Sequence, residues 1–203
     1  MAKRHVSPVG EIVFGAIVEP RENQITGTLE YSLGFQLPMD QSDGMLSALE
    51  EALTEARNKD PKFKAKGASV NLPYKPAARR NPETDELEPI EGMLLWTFKR
   101  KDSYVRKATG EVKKNTPPQL YDSNGYLLKP GELIDVPRGS TGRVVFEPYA
   151  YSIGSFGVQF QLVGFQIATL AENDLGVKLE KIEGGFVSGQ QVDEEFDQLI
   201  QGA

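Results

Sequence analysis

The chain has 203 residues, 39% of them hydrophobic, with one histidine, no cysteine and no apolar run near the ~18 residues of a membrane-spanning helix. Those counts exclude a disulfide framework, thiolate metal sites and the usual His/Cys zinc centres, and they fit a reducing compartment. The formal charge of −6 is unevenly placed: residues 1–171 hold 21 Lys+Arg and 21 Asp+Glu, whereas residues 172–203 hold 2 and 8, so a neutral body carries an acidic tail.

Taken in order, MAKRHVSPVG has two charges and no apolar core, so no secretory signal is expected, and residues 1–9 read as a flexible arm with His5 exposed and inert. Residues 11–18, EIVFGAIV, form a first strand, with a turn around Pro20 and Asn23. Residues 27–37 alternate strictly: Leu29, Tyr31, Leu33, Phe35 and Leu37 on one face, polar or small residues on the other, which predicts a half-buried strand ended by Pro38. Tyr31 and Phe35 belong to the apolar row and read as core. Residues 40–59 switch to helical period, with Ser42 or Asp43 as cap, a stripe of Met45, Leu46, Leu49, Ala52, Leu53 and Ala56, and Lys59 at the C-terminal end of the helix.

Residues 61–89 are proline-rich and irregular, with Lys62, Lys64 and Lys66 at spacing two, then Arg79 and Arg80, then the acidic turn NPETDELE. They read either as a mobile basic loop over a groove or as a solvated loop. Residues 92–114, GMLLWTFKRKDSYVRKATGEVKK, start as a strand apolar on both faces and become a basic ribbon with an aromatic inside it. Such ribbons hold single-stranded nucleic acid; equally, lysines keep an exposed hairpin from aggregating. Ser123-Asn124-Gly125 marks a turn between short strands. Residues 142–151 form a strand with Val144 and Phe146 inward and Arg143, Val145, Glu147, Tyr149 and Tyr151 on the opposite parity. Residues 156–168 are its hairpin partner. After residue 172 the periodicity fades, and the end clusters Asp193, Glu194, Glu195 and Asp197 around Phe196, the composition of a segment disordered until it meets a partner.

Twenty glycines, 13 prolines and recurrent alternation indicate a mainly β fold. No phosphate-loop or nucleophile-elbow motif occurs. Carboxylates are plentiful but sit on a helix face, in turns or in the tail, so no enzyme and no cofactor or metal is expected.

The segments EYSLGFQL, LSALEEAL, EGMLLWTFK, PPQLYDSNG, PRGSTGRVVFEPYAY and GVQFQLVGFQI, in that order, resemble the single-stranded DNA-binding proteins of tailed bacteriophages, an OB-fold family with the architecture of the T7-type replication protein. The likeness spans roughly residues 7–170, with the Arg138–Tyr151 stretch its most specific part. It implies a five-stranded OB-fold barrel with one helix after an early strand, basic loops and an acidic disordered tail. It also implies binding and protection of single-stranded DNA without strong sequence preference, in phage DNA replication, recombination and repair, in the cytoplasm of the infected bacterium. The implied domains are an arm (1–9), an OB-fold domain (10–171) and a linker with acidic tail (172–203). In that family the tail competes with DNA for the groove and contacts replication partners such as the polymerase and helicase-primase. Family members end on an aromatic residue, whereas here the last aromatic is Phe196.

The expected DNA-binding cations are Lys99, Arg100, Lys101, Arg106 and Lys107, with Arg143 on the late strand and Lys64, Lys66, Arg79 and Arg80 closing over the bound strand. Tyr104, Tyr149, Tyr151 and Trp96 are the stacking candidates; core is the competing place for Trp96. Asp193, Glu194, Glu195, Phe196 and Asp197 are the expected partner-binding tail. Homodimerisation is open, no membrane association is expected, and an RNA-binding OB protein or a non-catalytic virion or scaffold protein remain alternatives.

Overall fold

Strict alternation in one strand leaves its inner face in need of a cover, and five strands solve this by closing on themselves. The structure, a computed structural model, describes residues 3–64, 70–106, 108–152 and 155–171. Its strands are β1 (His5–Val6), β2 (Gly10–Glu22), β3 (Leu29–Pro38), β4 (Tyr74–Arg80), β5 (Leu87–Lys101), β6 (Ser103–Val105), β7 (Val112–Lys114), β8 (Gln119–Tyr121), β9 (Thr141–Tyr151) and β10 (Gly157–Thr169), with one α-helix, α1 (Asp43–Lys59). β2 pairs with β3, β3 with β5, β5 with β10, β10 with β9, and β9 returns to β2. Numbered along the chain as barrel strands one to five, the ring runs 1-2-3-5-4-1, and its one parallel contact joins the third and fifth. This is a five-stranded OB-fold barrel.

The ring closes because each strand contributes an apolar row to the inside. Phe35, Trp96, Phe98, Phe146, Phe160 and Phe165 are fully buried. Phe160 lies between Trp96 (5.5 Å, 6°) and Phe146 (4.4 Å, 25°), so three strands meet through stacked rings. The helix α1 falls between the second and third barrel strands and packs on β9 and β10, burying Met45, Ala48, Leu49 and Ala56. Ser42 precedes it but does not cap it with its side chain. Its hydroxyl instead donates to the Pro38 carbonyl (3.0 Å) and accepts the Trp96 indole N–H (3.4 Å). That bond gives the buried indole its partner, and it ties the helix entry to β5.

Three expectations are corrected. The arm at residues 3–9 is docked: β1 pairs with β9, Ser7 exchanges bonds with Val144 (2.9 and 2.8 Å), and Arg4 pairs with Glu147 at 2.9 Å. His5 stacks on Phe146 (5.5 Å), and burial first, then Lys3, holds its imidazole below the usual value against the opposing pull of Glu51. Second, much of 61–89 is regular, since β4 lies antiparallel on the first half of β5. Its prolines are tolerated because this strand sits at the edge of the sheet. Third, β2 runs on through Pro20 to Glu22, its register with β3 shifting between Ala16 and Arg21. The expected tail lies outside the described residues.

Ser42→Ala is expected to lower stability by about 1–3 kcal/mol, since the Trp96 N–H would be left buried without an acceptor. A lower urea midpoint at unchanged m value is the readout.

Candidate nucleic-acid interface

β5 leaves the core with its character changing residue by residue. Leu94, Trp96 and Phe98 point inward and are buried. The next inward position is Arg100, opposite Tyr31 at the barrel mouth. Lys99 and Lys101 take the outward parity. The parallel pairing sets Lys99 beside Gln161 of β10, and the antiparallel one sets Gln161 beside Glu147 and Gln159 beside Tyr149 of β9. The short β6–β7 hairpin then rises next to this face and brings Tyr104 in. Together Lys99, Arg100, Lys101, Tyr104, Asn115, Tyr149, Gln159 and Gln161 line a groove of about 340 Å³. Tyr104 is 47% and Tyr149 53% exposed, so each ring has a free face. Gln159 and Asn115 are held in place, donating to the Lys99 carbonyl (3.1 Å) and the Lys101 carbonyl (2.8 Å).

The cations of this groove are not equivalent. Lys99 is already paired with Glu30 at 3.0 Å. Lys101 is exposed. Arg100 is half-buried, takes part in none of the ion pairs among the described residues, and its Nε is buried with no hydrogen-bond partner. Beside it, burial and then the Asp102 carboxylate push the Tyr31 phenol above its ordinary value, while Arg100 pulls it back. Arg100 thus lines the groove with an Nε that has no hydrogen-bond partner among the described residues, leaving donor capacity unused.

The other expected site residues scatter. Trp96 is corrected to core: it is fully buried, stacked on Phe160 and bonded to Ser42, so it has no face for a base. Tyr151, half-buried, follows Tyr149 on the same parity, its hydroxyl close to Gly157. Arg106 is exposed where β6 turns toward β7. Arg143 shares the parity of Tyr149 but lies six residues away along β9, roughly 20 Å. It lines a separate cleft with Val9, Ser123 and Gln166. Arg79 and Arg80 are not on a loop over the groove: they sit in β4, paired with Glu88 (3.7 Å) and Asp85 (2.6 Å), opposite the far end of β5. Lys64 is exposed in the turn Pro61–Lys64, where Phe63 packs on Phe156. Lys66, Lys107, Asp193, Glu194, Glu195, Phe196 and Asp197 lie outside the described residues.

Sequence reasoning missed Asn115, Gln159 and Gln161 as groove residues because none carries charge. The alternation of β10 was the available signal, since it places both glutamines on the wet face. Among the described residues no three His, Asp or Glu side chains converge as a metal site, and no helix is long and apolar enough to cross a membrane.

No protein-family model and no curated protein matches the sequence. Solved structures do match. Bacteriophage T7 gp2.5, a single-stranded DNA-binding protein, superposes with a TM-score of 0.63 at 19% identity, over 93% of this chain and 100% of that one. The single-stranded DNA-binding protein of bacteriophage Enc34 in complex with ssDNA gives 0.58 at 13% identity, over 83% and 88%. Another Enc34 structure gives 0.56 at 14%, over 87% of both chains. The fold is therefore that of phage single-stranded DNA-binding proteins, in line with the resemblance carried by the sequence.

Removing the unpaired guanidinium should relieve the fold. Arg100→Met is expected to raise the unfolding free energy by about 1 kcal/mol, whereas Lys101→Met stays within about 0.5 kcal/mol of the parent. Urea unfolding without any nucleic acid compares the two.

Proposed function

We propose that the chain binds and protects single-stranded DNA without strong sequence preference, in the groove between β5, β9, β10 and the β6–β7 hairpin. The observation that carries this reading is the unpaired, half-buried Arg100 between Lys99 and Lys101, with the free faces of Tyr104 and Tyr149 on the same groove. Cations neutralise phosphates and release counterions. Aromatic faces stack on any base at about 1–3 kcal/mol each. The polar, uncharged floor of Gln159, Gln161 and Asn115 accommodates bases without demanding one. The solved neighbours are named as single-stranded DNA-binding proteins, one of them in complex with ssDNA, and they share this fold. Arg106 and Tyr151 extend the groove in this reading, Arg143 gives a second contact farther along β9, and Lys64 adds a charge beside the Phe63–Phe156 contact; Lys66 and Lys107 are proposed as further phosphate contacts. Arg79 and Arg80 contribute least, because their charges are already matched.

The acidic segment 172–203 is proposed as the intramolecular competitor of DNA, since its eight carboxylates meet a body of zero formal charge and act at high effective concentration. Asp193, Glu194, Glu195, Phe196 and Asp197 form the part offered to replication proteins. The setting is phage DNA replication, recombination and repair in the host cytoplasm, and the role is binding rather than catalysis.

Fluorescence anisotropy of labelled oligo-dT tests the reading with the full chain and a version ending at Ala171, at two salt concentrations. Both should bind, both should weaken as salt rises, and truncation should tighten binding. Arg100→Gln should lower affinity and flatten the salt dependence by about 0.7 in log–log slope, as expected for one phosphate contact to a single strand. Absence of binding at low salt would defeat the proposal.

A further inference from the structure

Phe14 stands on the outside of the barrel. The register between β2 and β3 shifts between Ile12 and Phe14, so Ile12 faces the core while Phe14 pairs with Gly34 on the outer surface, 45% exposed. Its ring rests directly on the Gly34 backbone: a Cβ at that position would lie 2.1–2.5 Å from three of its carbons. The ring can lie there only because its neighbour is glycine. Across β3, Gly34 is opposite Thr97 of β5, which shares the outward parity of Lys99 two residues on. From β2 to β5 is two strand spacings, roughly 10 Å, so Phe14 flanks the groove on the side away from Tyr149. OB folds use the outer face of their second and third strands for ligands, and here those are β3 and β5.

We propose that Phe14 is a base-stacking platform that carries the nucleic-acid path from the Lys99 groove across β3 onto β2. The proposal rests on the single-stranded DNA reading above and adds a contact to it. An aromatic ring already resting on its neighbour loses little conformational freedom on stacking, and any base fits it. A phenylalanine that merely shields a glycine from solvent would have the same rest position, so the two roles separate only with DNA present.

Phe14→Trp in the full chain separates them. The one native tryptophan, Trp96, is fully buried, so emission from the new indole reports on position 14. Titration with an oligo-dT of about 16 nucleotides should quench that emission in step with the anisotropy change. Phe14→Ala, with its folding checked by circular dichroism, should weaken the same oligomer by roughly 5- to 100-fold. If Phe14→Ala binds within about twofold of the parent and the Phe14→Trp emission is unchanged at saturating DNA, Phe14 only covers Gly34 and the inference is overturned. If the parent chain itself binds no oligo-dT, the single-stranded DNA reading has failed and this contact falls with it.

Discussion

The closure of the barrel depends on a short parallel pairing between β5 and β10. Phe98 lies opposite Phe160 and Lys99 opposite Gln161. One register therefore does two things. On the inside it brings Phe160 between Trp96 and Phe146, and the stacked rings hold three strands together. On the outside it sets a lysine of the third barrel strand beside the amides of the fifth. Because side chains alternate with a period of two, a slip by one residue would exchange the faces, placing Lys99 against the aromatic core. Core packing thus enforces the register of the groove, although no groove residue is needed for the packing.

Charge is sorted by the same geometry. A basic ribbon in a sequence looks like a set of equivalent cations, but folding pairs some of them and leaves others free. Lys99 is held by Glu30, Arg79 by Glu88 and Arg80 by Asp85. Arg100 is different because its parity sends it toward the barrel mouth, where Tyr31 and Asp102 are near but no described carboxylate pairs with it. Such a group costs stability in the free protein. In the proposed single-stranded DNA reading, that stability is traded for a ready anion contact.

Much of this was legible in the sequence where local pattern and tertiary role agree. The alternation of residues 31–37 and the parity of 142–151 survive, because each strand has one wet and one buried face, whereas Leu29, expected in the same apolar row, is 49% exposed at the start of its strand. The grouping of Lys99, Arg100, Lys101, Tyr104 and Tyr149 followed from the ribbon and that parity together. Other features were hidden for physical reasons. Trp96 alternates like its neighbours, and only the Ser42 hydroxyl, 54 positions away, explains how a buried indole is satisfied. Arg79 and Arg80 were read as loop cations because prolines surround them, yet an edge strand tolerates proline and brought their acidic partners within reach. Phe14 was invisible as a surface aromatic, since the register shift that turns it outward leaves no compositional trace.

The docked N-terminal segment shows how the pieces depend on one another. Glu147 lies on the outward parity of β9, directly across from Gln161 on the groove floor. An uncompensated carboxylate there would repel a phosphate backbone. β1 runs beside β9, and the arm places Arg4 on Glu147 at 2.9 Å, so the added segment neutralises this acid beside the groove floor. The segment is fixed by Ser7, whose hydroxyl and amide both bond to Val144, and by the stacking of His5 on Phe146. Phe146 in turn stacks on Phe160, the residue whose register closes the barrel. The edge strand and the groove are therefore positioned by one aromatic stack, and part of the charge beside the groove is balanced by a segment that does not line it at all.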